Sequence, residues 1–327
     1  MERLFCQKGS APSRGHMLPV ARDALRYDVA MMPVRAMLLP SYGVVEVSGR
    51  DSRAFLQGQL TNDLLGLERH PGMLAAACNR QGRVVAMMRL AAAGDSVLIV
   101  LRRDIAPILV AQLSQFVLRA RVTIEDRSRT RGAMGLLDAE PDARWSQAAA
   151  AASGLALLVC SARRMLLAGP SAALAAAVAA VPRTDPADWE RAGIADGEPL
   201  VHPDTSALWL PQMLNLDLLS AVSFTKGCYL GQEIVARAQH LGRIKRRMLR
   251  YVAPPGTPLH PGQPLFGGDE RVAQVVSASG DAAATHCLAV VELERCADLL
   301  GVLPLGSEFV PAGLPYAIPP PEPAVVD

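Results

Sequence analysis

Residues 223–237 read Ser-Phe-Thr-Lys-Gly-Cys-Tyr-Leu-Gly-Gln-Glu-Ile-Val-Ala-Arg. No other stretch sets a thiol, an ammonium, a phenol, a carboxamide, a carboxylate and a guanidinium so close together. Cys228 lies two residues from Lys226 and just ahead of an expected helix N-terminus, and both influences favour thiolate over thiol. The competing reading is a passive cysteine in a structural join, since free cysteines are more often buried and inert. Lys226 can hold an anion as a point charge. Arg237 can hold a carboxylate in bidentate fashion. A solvated surface charge is the alternative for each. Tyr229 can stack on a planar ring or hydrogen-bond through its hydroxyl, or simply pack in the core. Glu233 falls in the first helical turn, where negative charge is favoured. Together these groups suit a flat heterocycle bearing a carboxylate tail. Nucleophilic catalysis by Cys228 would need a base; no histidine lies within the motif, and His202 or His240 could approach it in space.

Certain elements must position this stretch. Gly227 and Gly231 permit positive φ and close backbone approach. The spacing of Ile234, Val235 and Ala238 predicts a helix from about Gly231, preceded by a tight loop over residues 226–231. Upstream, residues 42–47 read as a strand and 52–60 as a helix that Asp51 or Ser52 could cap. Gln57, Gln59, Thr61, Asn62 and Asp63 form a polar rim at its end. Strands are expected over 73–78, 84–90 and 96–101, with a hairpin tip at 79–83. A helix over 104–116 and a strand over 120–126 complete a mixed α+β layer. The middle repeats that character, with short strands at 132–137, 155–159 and 165–168 and helices at 170–181 and 186–192. Residues 209–217 read as a loop leading into the motif.

The 327 residues suffice for two or three domains. Half are hydrophobic and a fifth are charged, an ordinary globular mixture. The net charge of +2 does not mark a nucleic-acid protein. The six cysteines form no C-x-x-C pair, so neither a zinc finger nor a locally encoded iron–sulfur site is supported. Reduced thiols and a cytoplasmic location are expected, with no signal peptide or membrane span. No glycine-rich nucleotide-binding pattern occurs. Arg243, Lys245, Arg246, Arg247 and Arg250 cluster without an acidic residue. They read either as a solvated element end or as a landing surface for a polyanion, an oligoglutamate tail or a nucleic acid. Beyond residue 251, short β-like runs at 271–277 and 286–291 suggest a small β-barrel or sandwich. Residues 311–327 are proline-rich and expected to be extended or disordered.

The octapeptide Lys226-Gly-Cys-Tyr-Leu-Gly-Gln-Glu233 resembles the K-G-C-Y-x-G-Q-E signature of the YgfZ-type folate-binding proteins, an aminomethyltransferase-like group tied to iron–sulfur cluster maintenance. Phe55-Leu-Gln-Gly-Gln-Leu-Thr-Asn-Asp63, Asn79-Arg-Gln-Gly-Arg83, Phe116-Val-Leu-Arg-Ala-Arg-Val122 and Pro211-Gln-Met-Leu-Asn-Leu-Asp217 are also similar to that family. The resemblance covers residues 42–251 and, more loosely, the C-terminal β-like runs. It implies an α+β fold of two ferredoxin-like domains and a C-terminal small β-barrel, in a ring around a channel that binds tetrahydrofolate. The expected division is a leader at 1–35, α+β domains at 36–140 and 141–246 that could interleave, a barrel at 247–315 and a tail at 316–327. The family's lysine and cysteine fall on Lys226 and Cys228. The implied folate contacts fall on Tyr229, Gln232, Glu233, Arg237, Gln57, Asn62, Asp63, Arg83 and Arg191, with no metal ligands.

Two departures bear on chemistry. The aminomethyltransferase carries an aspartate pair just after its hairpin glycine, whereas Arg83-Val-Val-Ala-Met87 follows Gly82 here. Its pteridine-binding glutamate precedes an Ala-Gly pair, where this chain has Arg191. The expectation is therefore a monomeric, folate-dependent accessory protein for iron–sulfur client enzymes, tRNA-modifying ones included, with Cys228 as an activated thiol. A one-carbon transferase or demethylase is the first alternative. An RNA-binding module using residues 243–250 is the second, any RNA contact otherwise being indirect.

Overall fold

The computed structural model describes residues 33–140, 142, 144–240, 244–267, 269–293 and 309–319. In order, the elements are β1 (Arg35–Leu38), β2 (Tyr42–Ser48), α1 (Ser52–Gln57), a 3-10 turn over Leu64–Arg69, β3 (Met73–Cys78), β4 (Val84–Ala93), β5 (Ser96–Arg102), α2 (Ala106–Ser114), β6 (Thr123–Asp126) and β7 (Arg131–Leu137). Then come α3 (Gln147–Ala152), β8 (Ala156–Val159), β9 (Arg164–Pro170), α4 (Ser171–Ala177), α5 (Pro186–Ala195), 3-10 turns at Pro203–Thr205 and Pro211–Leu214, α6 (Gln232–His240), β10 (Arg246–Ala253), β11 (Pro264–Gly267), β12 (Glu270–Gly280), β13 (Thr285–Glu292) and β14 (Val310–Ala312).

These strands form three antiparallel sheets, ordered β3-β4-β5-β2-β6, β1-β7-β9-β8 and β11-β12-β13-β10-β14. The first two are covered on both faces, which is why their strands read as near-continuous apolar runs. Alternate residues of a strand point to opposite faces. On β5, Val97, Ile99 and Leu101 meet α1 and α2 through Phe55, Leu56 and Leu109. Leu98 and Val100 face the second sheet and pack with Leu137, Leu158, Leu166 and Trp189. The outer face of the second sheet is closed by α3 and α4 through Ala150, Leu174 and Val178. The result is a helix–sheet–sheet–helix stack, the α+β class expected.

The interleaving allowed for the two α+β domains takes a definite form: β7 of the 36–140 range pairs with β9 of the 141–246 range, Leu136 facing Met165, so both ranges share one sheet. Two details differ from the sequence reading. The C-terminal strands make an open sheet rather than a closed barrel among the described residues, with β11 and β14 at its edges. The proline-rich segment is held rather than free as far as it is described: β14 pairs with β10, and the Tyr316 hydroxyl donates to the Gly197 carbonyl at 2.8 Å. The expected leader at 1–35 lies outside the described residues up to 32, and the tail does so from 320. No helix among the described residues is long and apolar enough to cross a membrane.

Candidate functional site

A cavity of about 1310 Å³ opens where the ends of the first two sheets meet the loop that precedes the motif. Its apolar wall includes Met73, Leu74, Leu219, Val222 and Phe224. The Phe224 ring is fixed by an edge-on contact with His240, centroids 5.8 Å apart. Asn62 and Asp63 line the cavity, as do Ser223 and Thr225 of the motif stretch. Asn62 is locked in place, its amide donating to the carbonyls of Leu74 and Ser220 at 2.7 and 2.8 Å. Asp63 accepts on Oδ1 from the Leu65 amide and from Gln57 Nε2, each at 3.0 Å. The Leu65 amide chiefly holds this carboxyl below the usual range; burial opposes it, and Gln57 and then Lys226 add to the lowering. Its Oδ2 accepts no hydrogen bond among the described residues, so this carboxylate, which lines the cavity, keeps one oxygen unclaimed. Gln57 stands behind Asp63 as a brace, its Oε1 also accepting from the Leu64 amide at 2.8 Å.

Lys226 does not face the cavity. Only 8% exposed, its Nζ donates to the carbonyls of Gln57, Leu60 and Asn62 at 2.6, 2.7 and 2.7 Å. An ammonium has three donors, and all three are committed to backbone just before Asp63. The ligand-holding role expected of Lys226 is thus replaced by a brace between the motif and the end of α1. Burial lowers its pKa to about 8, against the opposing pull of Asp63. Tyr229 packs beneath it, the Nζ 5.3 Å from the ring centroid. That ring is 7% exposed, so it is not available for stacking from the cavity. Its hydroxyl is buried without a hydrogen-bond partner among the described residues, and burial first, then Cys78, pushes the phenol up.

The rest of the motif faces outward. Cys228 is exposed on the loop ahead of α6. Gln232 closes that loop by accepting the Tyr229 amide at 3.2 Å. Glu233 and Arg237 pair with each other at 3.6 Å on the solvent face of α6, with side chains 83% and 66% exposed. His202 lines a different, smaller cavity with Trp189 and Leu259. Gly231, at φ +83°, is what allows α6 to start here: a Cβ on it would stand 2.3 Å from the Asn79 carbonyl oxygen and 3.0 Å from Gly82 Cα. The hairpin tip and the motif loop therefore touch backbone to backbone.

Two further candidates and the basic run lie elsewhere. Arg83 hydrogen-bonds the Leu208 carbonyl and lines a separate cavity of about 420 Å³ with Trp209 and Arg271. Arg191 ties α5 to the C-terminal sheet through the Gly280 carbonyl at 3.0 Å and Asp281 at 3.3 Å, and pairs with Asp188 of its own helix. The basic run is dispersed along β10. Arg247 is buried and bidentate to Asp217 at 2.6 and 2.9 Å, while Arg246 pairs with Glu292 at 2.5 Å. Arg243 lies outside the described residues.

Sequence reasoning missed the charged floor of the main cavity. Arg89 of β4 grips Glu198 through Nε and Nη2 at 3.0 and 2.6 Å, and Arg164 of β9 reaches the same carboxylate. Burial would raise the Glu198 pKa, but the two guanidiniums outweigh it and hold it at about 2. The signal was present as a lone arginine in the apolar run 84–93, but nothing local names its partner 109 residues away. Cys160, Asp217 and Tyr316 line the cavity too.

No family model matches the chain. It is 32% identical over 233 residues, 66% of its length and 70% of the relative's, to a tRNA-modifying protein YgfZ of Edwardsiella ictaluri. It is 29% identical over 248 residues, 71% of its length and 74% of the relative's, to the protein so named in Pectobacterium atrosepticum. Among solved structures, the glycine cleavage system aminomethyltransferase T of Bartonella henselae superposes with a TM-score of 0.62, covering 80% of this chain and 79% of that one at 15% identity. At that identity the likeness is one of fold.

Proposed function

The chain belongs to the YgfZ family, and from that premise we propose that it binds tetrahydrofolate as an accessory protein supporting iron–sulfur clusters in client enzymes, tRNA-modifying ones among them. The observation that carries this reading is the main cavity. Its volume is ample for a molecule of folate size. It offers an apolar wall with an aromatic ring for a flat heterocycle. It also offers one ionised, unclaimed carboxylate oxygen, on Asp63, for that heterocycle's N–H donors. The residues present therefore fit the group. When bound, a reduced folate supplies one-carbon chemistry. The chain's own part is to hold it: Phe224 and Leu74 enclose the ring, Asp63 orients it, and Lys226 keeps the Asp63 segment in place.

A transferase reading finds no support at the hairpin. The tip, residues 79–83, and β4 after it contain no carboxylate. Cys228 is the group best placed to meet another protein, since it stands exposed on the outer side of the motif loop. An exposed thiol there can touch a client or its cluster without disturbing the cavity.

Calorimetric titration of tetrahydrofolate into the purified chain tests the reading. Saturable binding is expected, weakened about tenfold by Asp63→Ala through loss of a charge-assisted hydrogen bond. Absence of binding at millimolar ligand would overturn it. Cys228→Ala should bind tetrahydrofolate as the wild type does and fail to restore cluster-dependent tRNA modification in cells lacking the protein.

A further inference from the structure

The main cavity is electrically polarised along the 3-10 turn Leu64–Arg69. Asp63 stands at its start with an unclaimed carboxylate oxygen, and Arg69 and His70 stand at its end. Six residues at the rise of a 3-10 helix separate the two ends by about 12 Å. Most other charges in the cavity wall are neutralised in place: Glu198 by Arg89 and Arg164, Asp196 by Arg164, and Asp217 by Arg247. Arg69 and His70 have no carboxylate partner among the described residues, and both are exposed. A second segment brings another cation to the same rim. The Val159 amide donates to the Pro71 carbonyl at 3.1 Å, which sets the turn 160–163 beside His70. Arg163, at the end of that turn, lines the cavity with an exposed side chain and pairs with Asp138, which also holds Arg35, itself within 3.5 Å of Asp188. The unpaired charge at this edge is thus carried by Arg69, with the exposed guanidinium of Arg163 beside it.

We infer that the rim formed by Arg69, His70 and Arg163 is the subsite for the glutamate tail of the folate, and that it takes a chain of several γ-linked glutamates running out to solvent. This rests on the folate reading and adds a direction and a preference to it. A folate has N–H donors on its pteridine and carboxylates at the far end of a rod of about the length separating Asp63 from the rim. Only one orientation then matches charge to charge: pteridine toward Asp63 and tail toward Arg69. Further glutamates would lie against exposed guanidiniums, which bind carboxylates bidentately. Because the rim is exposed, the attraction is screened by salt.

The test is calorimetric titration of monoglutamyl and pentaglutamyl tetrahydrofolate into the wild type, Arg69→Glu and the double variant Arg69→Glu/Arg163→Ser, at low and high salt. The longer tail should bind the wild type about tenfold more tightly at low salt, with the gain shrinking in high salt. The gain should fall below about threefold in Arg69→Glu and vanish in the double variant, while monoglutamate affinity changes less. Circular dichroism confirms that the variants fold. If the monoglutamate saturates the wild type and the longer tail gains nothing, the rim is overturned and the folate reading survives. A gain that persists in the double variant also overturns the rim. If neither ligand binds, the folate reading falls and the rim with it.

Discussion

Lys226 and Cys228 sit two residues apart and do opposite work. Lys226 is sealed in, its ammonium shared among three carbonyls; Cys228 is open to solvent. Replacing Lys226 with Met keeps the aliphatic bulk and orphans those carbonyls. A buried polar group left unpaired costs about 1–3 kcal/mol, so Lys226→Met should lose about 2–4 kcal/mol in urea unfolding. Cys228→Ser should change stability by less than about 0.5 kcal/mol, as surface substitutions do. If Lys226→Met proved as stable as the wild type, the brace would be wrong. The two substitutions thus separate positioning from contact within one motif.

Glycine governs the join between elements. Gly231 meets the hairpin tip at a positive φ, with a backbone oxygen where a side chain would go. Neither the carbonyl nor Gly82 can move without opening the turn in which Gly82 donates to the Asn79 carbonyl at 2.9 Å. Gly231→Ala should therefore cost about 2 kcal/mol or more, from strain and displacement together. The urea midpoint reports the loss, and faster amide exchange over residues 79–83 and 229–235 would locate it. The segment Pro211-Gln-Met-Leu-Asn-Leu-Asp217 joins elements in another way. Gln212 donates to the Val235 carbonyl of α6, Asn215 to the Met248 carbonyl of β10, and Asp217 receives Arg247. Its similarity to the family is thus explained by a structural task, linking the motif helix to the C-terminal sheet.

Across the whole molecule, the Arg89–Glu198–Arg164 cluster ties the first sheet, the second sheet and the segment after α5 at one point. Glu198 has its pKa lowered from 4.5 to about 2 in the folded protein. The unfolded chain therefore binds the proton more readily in this range. The stabilisation is fully present above about pH 4.5 and is lost as pH falls toward 2. For a carboxylate so little exposed it amounts to roughly 3 kcal/mol. Glu198→Gln should lower stability at neutral pH and flatten the decline between pH 4.5 and 2, read as the thermal midpoint against pH. A variant with the same acid slope as the wild type would remove Glu198 from that account.

Much of the α+β class could be read from the chain alone, because apolar periodicity and glycine or proline punctuation are local properties. Residues 42–47, 73–78 and 96–101 were expected as strands and lie in β2, β3 and β5. The motif was equally visible, since a thiol, an ammonium and two glycines in eight residues stand out in any sequence. Which of its side chains face a ligand was not visible. Lys226, Tyr229, Gln232, Glu233 and Arg237 looked like one contact surface. Folding turned Lys226 and Tyr229 into the interior and left Glu233 and Arg237 paired in solvent. The cavity was assembled instead from Asp63, Arg89, Glu198 and Tyr316, which lie far apart in the chain. Direction depends on how sheets stack and where loops cross, and burial and charge pairing are set by neighbours that sequence proximity does not supply.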